Sequence, residues 1–542
     1  MIKIVVLCVM CSIALFAQQT VIKGKLLGAD GKPMALAHIH LYKPLEKEAL
    51  SAVQVEKNGN FSIKTNEQDI VSLKCSGVNH IPMEIPLLIS EKEKTIELSI
   101  QLRTHKYFND LNDVEVVGNT FNSQPETKKA EKQTDGTFKV EYVPNADTFA
   151  YEVKGITDRL INGTQSDAFR YDGDGDYYSL LKTTKDSSLV ITIDPKKFFV
   201  VTADADVRVL NKKSVNVKFL ALNLERARRA EQFMDAVKAF QKSGKNMREF
   251  GYDWSKDSAH ITRQITKEKS LLNRQILLLS YGELAMYGFR NADKKLQGKI
   301  LEDIPPSSLL WTLNPIVMQV AATDQLQFEE FAKKVVASNP STALKANVLF
   351  NQMMGAKFSG NTEKFKEYYT TLTTEYAGTQ YGKIAKERFV LESGIAVGKK
   401  IPFFSVTSLD DSTKTYSSDG MKGKIFMIDF WAVWCGPCVE EMQTLHKAYE
   451  KYKGKKNFEI LSLSYDASPN DVTKFRKEKW AMPWLHSFLK GGFESEVGKK
   501  FEVMGIPKPI LVDENGTILA MEGELRGDNL DKTLAKYLSE SK

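Results

Sequence analysis

The sequence predicts a multi-domain protein: N-terminal β-sandwich domains, a helical middle domain and an α/β unit at the C-terminus. Three observations carry that expectation. Between residues 20 and 210 short alternating apolar runs are punctuated by Gly and Asn-Gly, the pattern of strands joined by tight turns. From about residue 215 the apolar spacing changes to three and four, the period of amphipathic helices. After residue 394 strand-like and helix-like runs alternate, which is the pattern of an α/β layer structure.

At 542 residues the chain is too long for one core, and with 42% hydrophobic and 26% charged residues it has the composition of a folded protein. The formal charge of +7 is spread thinly, with lysines and glutamates interleaved and no basic block, which argues against nucleic acid as a partner.

Residues 1–19, "MIKIVVLCVMCSIALFAQQ", have one early lysine, an apolar run and then Ala17 before polar residues. That is the layout of a secretory signal peptide, and the run is short for a membrane span. An uncleaved membrane anchor is the alternative. Either way the expected location is the periplasm or cell envelope. Cys8 and Cys11 lie inside the run and would leave with the signal, so the mature chain holds Cys75, Cys435 and Cys438. One pair two residues apart closes too short a loop to brace a protein of this size, which points to chemistry instead. Cys75, in "IVSLKCSGV", reads as a small buried hydrophobe.

Residues 20–103 contain "VIKGKLLGADGKPMALAHIHLYK", "VEKNGNFSIK", "IVSLKCSG" and "KTIELSIQL", a small sandwich that resembles carboxypeptidase-regulatory-like modules. Residues 104–210 read as a second β domain, faintly similar to early-set domains. The segment holds no tryptophan, which argues against a carbohydrate-binding platform and for a scaffold. Within it Asp172, Asp174 and Asp176 alternate in "DGDGD". A calcium loop would want Gly and an acid where Tyr177 and Thr183 stand, so the stretch reads as a turn between strands. Residues 211–393 carry helical stripes such as "SLLNRQILLLSYGELAMYGF", without a clean 34-residue repeat. These stripes read as the core of a helical bundle, with a docking face as the alternative.

In residues 394–542 the strand "KIFMIDFWAV" runs into a helix beginning at Cys435, and a later strand, Asn-Gly turn and strand precede a terminal helix. Cys435 and Cys438, at i and i+3 of a first helical turn, lie on one face and can reach disulfide geometry. Pro437 lacks an amide hydrogen where the helix has unpaired donors anyway, and Gly436 completes the turn. Free amides and the helix dipole favour a thiolate at Cys435, making it the attacking sulfur and Cys438 the resolving one. Asp429, a carboxylate inside an apolar strand, would be desolvated beneath the pair, with a raised pKa suited to exchanging a proton with Cys438. Trp434 would flank the cysteines as an apolar shelf. A structural zinc site lacks ligands: there is no second cysteine pair, and His446 reads as a surface residue. No cofactor is expected.

The stretches "IDFWAVWCGPC" and "IPFF…GK…DFWAVWCGPCVEEM…GIPKPILVDENGTI" resemble the TlpA/ResA-like thiol–disulfide oxidoreductases, of thioredoxin fold, in the multi-domain form familiar in the Bacteroidetes. The resemblance covers 394–542. It implies a thioredoxin fold for that unit and a role for Glu441, three residues after the second cysteine, so that two acids compete for proton exchange. A Glu441 pointing idly into solvent is equally open. It also implies that Pro507, rather than Pro509, is cis, turning the backbone of Ile506 towards an extended client. Gln443 stands where the family usually has a helix-kinking proline, so a straighter helix is expected.

The resulting expectation is an exported thiol–disulfide oxidoreductase, reducing protein disulfides and fed by a membrane thiol donor. The competing reading is an envelope scaffold whose partner contact is redox-regulated. Peroxide reduction is weaker, for want of a Thr-x-x-Cys site.

Overall fold

The computed structural model describes residues 19–538 except 109, 120–124, 158, 174–175, 199–204, 244–248, 290–291, 360, 390 and 392–393. The expected signal peptide, with Cys8 and Cys11, thus lies outside the described residues apart from its last position, as does Asp174. The chain divides into two compact units, residues 1–244 with 250–348, and 245–249 with 349–542.

The first unit begins with two four-stranded sheets. Alternation does the work here: in Asn60–Thr65 Phe61 and Ile63 point inward while their neighbours face water. Ile22, Leu26, Ile39, Leu41, Val71 and Leu98 from the two sheets share one core. Cys75 is buried in the strand Asp69–Gly77. The Asn-Gly signal before Asn60 is a turn in which Gly59 adopts φ +83°.

Residues 114–198 form a second pair of sheets around Val116, Phe138, Tyr151 and Ile191. Asp172 and Asp176 sit at the hairpin between Ala168–Tyr171 and Tyr177–Lys182, where the Asp172 carboxylate accepts the Asp176 amide at 3.0 Å. The last strand of the expected second domain belongs elsewhere. Asp206–Val209 pairs with Thr95–Gln101, at the edge of the first sheet.

Helices follow from Asn216–Lys242 onward. Leu271–Met286 is buried along most of its length, from Gln275 to Leu284, so apolar residues surround it and it acts as the bundle's axis. Its N-terminus is capped by Ser270, whose hydroxyl accepts the Asn273 amide. Glu283 lies inside this bundle, where burial pushes its carboxyl up. The Arg226 charge and hydrogen bonds outweigh that and hold it low. Arg226 Nε donates to it at 3.0 Å, Asn314 Nδ2 donates at 2.8 Å, and Arg226 Nη1 is taken by Asn223 at 2.7 Å.

The helical stretch runs to Arg388, close to where its period suggests, but it is shared between the two units. The division between the units falls at 348/349, within Thr342–Phe358, and the helices Thr362–Thr374 and Gln380–Arg388 belong to the second unit. The rest of that unit is a five-stranded sheet with the central strand Phe426–Trp431. It runs parallel to Glu459–Ser464 and antiparallel to Lys508–Val512. Leu485–Phe488 and Ile518–Met521 form the edges, and helices Gly436–Tyr452, Pro469–Glu478 and Asp528–Leu538 accompany the sheet. This is a thioredoxin-fold unit. Among the described residues no helix is long and apolar enough to cross a membrane.

Replacing Glu283 by Ala would strand the Arg226 charge in the bundle and should destabilise the first unit by about 4 kcal/mol. Urea unfolding followed by circular dichroism measures it, and a loss under 1 kcal/mol would contradict the buried pairing.

Candidate active site

All six residues of Phe426–Trp431 are buried, so the strand is a rigid base from which the chain turns into the helix Gly436–Tyr452. The turn is held by Asp466. Its two carboxylate oxygens accept the Val433 amide at 3.0 and 3.2 Å, and it is itself braced by the Ser464 hydroxyl at 2.8 Å. Cys435 then stands at the N-cap, its sulfur accepting the Cys438 amide at 3.2 Å. Cys435 and Cys438 are joined as a disulfide with their Cα atoms 5.2 Å apart. Both are almost covered, 5% and 2% exposed. Gly436 and Pro437 lie exposed beside them, and Trp434, at 59% exposure, stands out into solvent.

The Ile506–Pro507 bond is cis, and the carbonyl oxygen of Ile506 lies 3.7 Å from the Cys435 sulfur. Pro509 is inside the strand Lys508–Val512, opposite Asp429. The structure therefore brings Cys435, Cys438, Ile506 and Pro507 to one place.

Asp429 lies behind them, buried in the central strand. Its partner is the Ser462 hydroxyl on the neighbouring strand, at 3.3 Å, and that hydroxyl accepts the Trp484 indole N–H at 2.9 Å. Burial pushes the Asp429 carboxyl up to about 7. The Ser462 hydrogen bond lowers it somewhat, and the negative charge of Glu441 raises it further. Glu441 is held: one oxygen accepts the Gly527 amide at 2.9 Å and the other lies 3.5 Å from Arg526 Nε. It has partners where an idle solvent-facing acid would have none. The helix runs unbroken through Gln443.

His446 departs from the surface role expected of it. Its Nδ1 lies 2.7 Å from the Met442 carbonyl, and its Nε2 accepts the Met482 amide at 3.2 Å, so the neutral ring bridges helix and loop. Three residues escaped the sequence reading. Ser462 and Asp466 carried the same signal as Asp429, polar groups in or just after the apolar run "EILSLSYD". Lys508, wedged between two prolines, is buried with its ammonium donating to the carbonyls of Phe501 at 3.0 Å and Glu502 at 2.9 Å, and burial lowers its pKa to about 8. It ties down the loop that leads into Pro507.

The comparisons with known proteins fall on this unit. A family profile described as Thioredoxin-like matches residues 423–518. The thiol-disulfide oxidoreductase ResA of Bacillus thuringiensis subsp. konkukian is 32% identical over 150 residues, 28% of this chain and 81% of that protein. The thiol:disulfide interchange protein DsbE of Vibrio cholerae is 31% identical over 157 residues, 28% of this chain and 80% of that protein. Among solved structures, the thioredoxin domain of a Bacteroides vulgatus thiol-disulfide oxidoreductase is 32% identical, covering 27% of this chain and 99% of that one at a TM-score of 0.25.

A group whose folded pKa lies above its unfolded value of 3.8 binds protons in the native state that the unfolded state has released. For an acid this means that stability falls as pH rises from about 4 to 7. Asp429→Asn keeps an acceptor for Ser462 and removes that fall. In the oxidised protein it should therefore be the more stable form at pH 8, by about 4 kcal/mol at most, with little difference at pH 4. Urea midpoints at the two pH values check it, and equal pH slopes would remove the buried proton from the account.

Proposed function

The chain belongs to the thioredoxin-like family of ResA-type thiol–disulfide oxidoreductases, and from that premise we propose that it is an exported reductase of protein disulfides. The observation that carries the reading is the placement of the Cys435 sulfur at a helix N-terminus, 3.7 Å from the Ile506 carbonyl. An extended client can pair with that backbone while its disulfide meets the sulfur.

The placement of these groups supports the following steps. In the reduced pair, amides of the first helical turn stabilise the Cys435 thiolate. It attacks one sulfur of the client disulfide; a Cys435–client bond forms, and the other client sulfur leaves as a thiolate and takes a proton. Cys438 then gives its proton to ionised Asp429 and attacks the Cys435 sulfur. The client sulfur bonded to Cys435 leaves as a thiolate and takes a proton from water, and the Cys435–Cys438 disulfide remains, with two electrons passed to the client. Burial poises the Asp429 carboxyl near neutral pH, and the charge of Glu441 adds to that effect. Trp434, Gly436 and Pro437 form the exposed rim that the client meets. A dithiol donor must then reduce the pair again, and in an oxidising compartment we assign that role to a membrane thiol relay.

We read residues 1–19 as the export signal, 20–103 as a carboxypeptidase-regulatory-like sandwich that also takes the strand Asp206–Val209 at its edge, and the rest of 104–210 as an early-set-like domain. The helices of 211–393 form a helical region whose last members, Thr362–Thr374 and Gln380–Arg388, belong with the thioredoxin-like fold of 394–542 in the second unit. The destination is the periplasm or cell envelope.

Cys438→Ser should accumulate client proteins covalently, released by reductant, whereas Cys435→Ser should capture none. Partners that elute without reductant from both variants would favour a scaffold. Asp429→Asn should slow the resolving step about 100-fold and abolish its rise with pH near 7, as stopped-flow measurement of mixed-disulfide decay would show. An unchanged pH profile would remove Asp429 from the mechanism.

A further inference from the structure

We propose that the helices Thr342–Phe358 and Thr362–Thr374 complete a pocket beside the reacting sulfur that takes one apolar side chain of the client. The inference rests on the reading of function just given and adds the chemistry of the segment recognised.

The second unit contains a cavity of about 640 Å³. One wall is the helical arm, with Met354, Lys357 and Phe365, joined by Leu391 from beyond the last helix. The other is the loop at the cis bond, with Met504, Ile506, Pro507 and, beyond it, Met521. Apart from Glu522, which is exposed, the charged groups around it are already engaged. Lys357 Nζ lies 3.6 Å from Glu502 Oε2 and 5.4 Å from the centre of the Phe365 ring. The other Glu502 oxygen accepts the Gly394 amide at 2.9 Å. Lys508 is committed to the Phe501 and Glu502 carbonyls, and Arg526 lies against Glu441. What remains to greet an occupant is mostly thioether and hydrocarbon. An anion would find no free counter-charge among these groups and a cation only the exposed Glu522, whereas a neutral apolar side chain would exchange water for hydrocarbon. Three methionines suit a pocket that must accept more than one apolar shape.

The cavity adjoins the redox pair at Ile506 and Pro507. Ile506 lines it, and the Ile506 carbonyl is the group 3.7 Å from the Cys435 sulfur. Side chains of an extended client alternate at about 3.3 Å per residue. A client strand lying along Ile506 with its cysteine at Cys435 therefore directs a neighbouring side chain into the pocket. Met354, Lys357 and Phe365 lie outside residues 423–518, the part matched by the family profile, so this wall is an addition to the shared redox unit.

The test uses the full chain, excess thiol as electron source, and two disulfide-bonded peptides that differ only in Phe or Ala beside one cysteine. The Phe peptide should have the higher kcat/KM by about tenfold. Thr362→Trp, which puts an indole at the exposed mouth of the cavity, should bring the ratio close to one, and Met354→Ala should reduce it separately. Equal kcat/KM for the two peptides on the unaltered chain would overturn the proposal, as would an undiminished ratio in both variants. Turnover of 2-hydroxyethyl disulfide, which has no side chain to place, separates the two readings. If the unaltered chain reduces it without preferring the Phe peptide, only the pocket falls. If it reduces none of the three, the reductase reading falls as well.

Discussion

The constraint on which the redox unit depends is the complete burial of its central strand. Six consecutive residues lie out of water, and the fourth is an acid. A carboxylate in such a place can persist by neutralising itself, and that is the solution here: the proton stays on Asp429 up to about neutral pH, helped by a nearby negative Glu441. The same rigidity fixes where the strand ends, and so where the turn braced by Asp466 delivers Cys435 to the start of its helix. The buried acid and the placement of the Cys435 sulfur are thus consequences of one strand.

The helical bundle meets the same physics with the opposite remedy. Glu283 is about as inaccessible as Asp429, yet it remains an anion because Arg226 and Asn314 satisfy it at close range. One buried acid is locked by a cation and does structural work. The other has a single weak hydroxyl partner and stays free to titrate.

Much of the redox site was legible because its signals are local. Two cysteines three positions apart, a proline in the first turn and an acid in an apolar run can be read within "IDFWAVWCGPC". The partners of these groups were less so. Glu441 is held by Gly527, 86 positions away, and nothing in the periodicity of either helix announces that meeting. The strand Asp206–Val209 reads as a strand by composition, but its neighbour Thr95–Gln101 is fixed by the packing of the first core, which a period of two does not encode. The edge of the second unit at residue 349 was equally silent, since the amphipathic spacing is the same on both sides of it.

The ion pair between Lys357 and Glu502, with Gly394 sharing the same carboxylate, carries a practical consequence. A fragment cut at residue 394 would retain the dithiol but shed Lys357, uncover Glu502 and turn half of a concave wall into open water. Such a truncated surrogate would keep the Cys435–Cys438 pair intact while lacking one side of the cavity next to it.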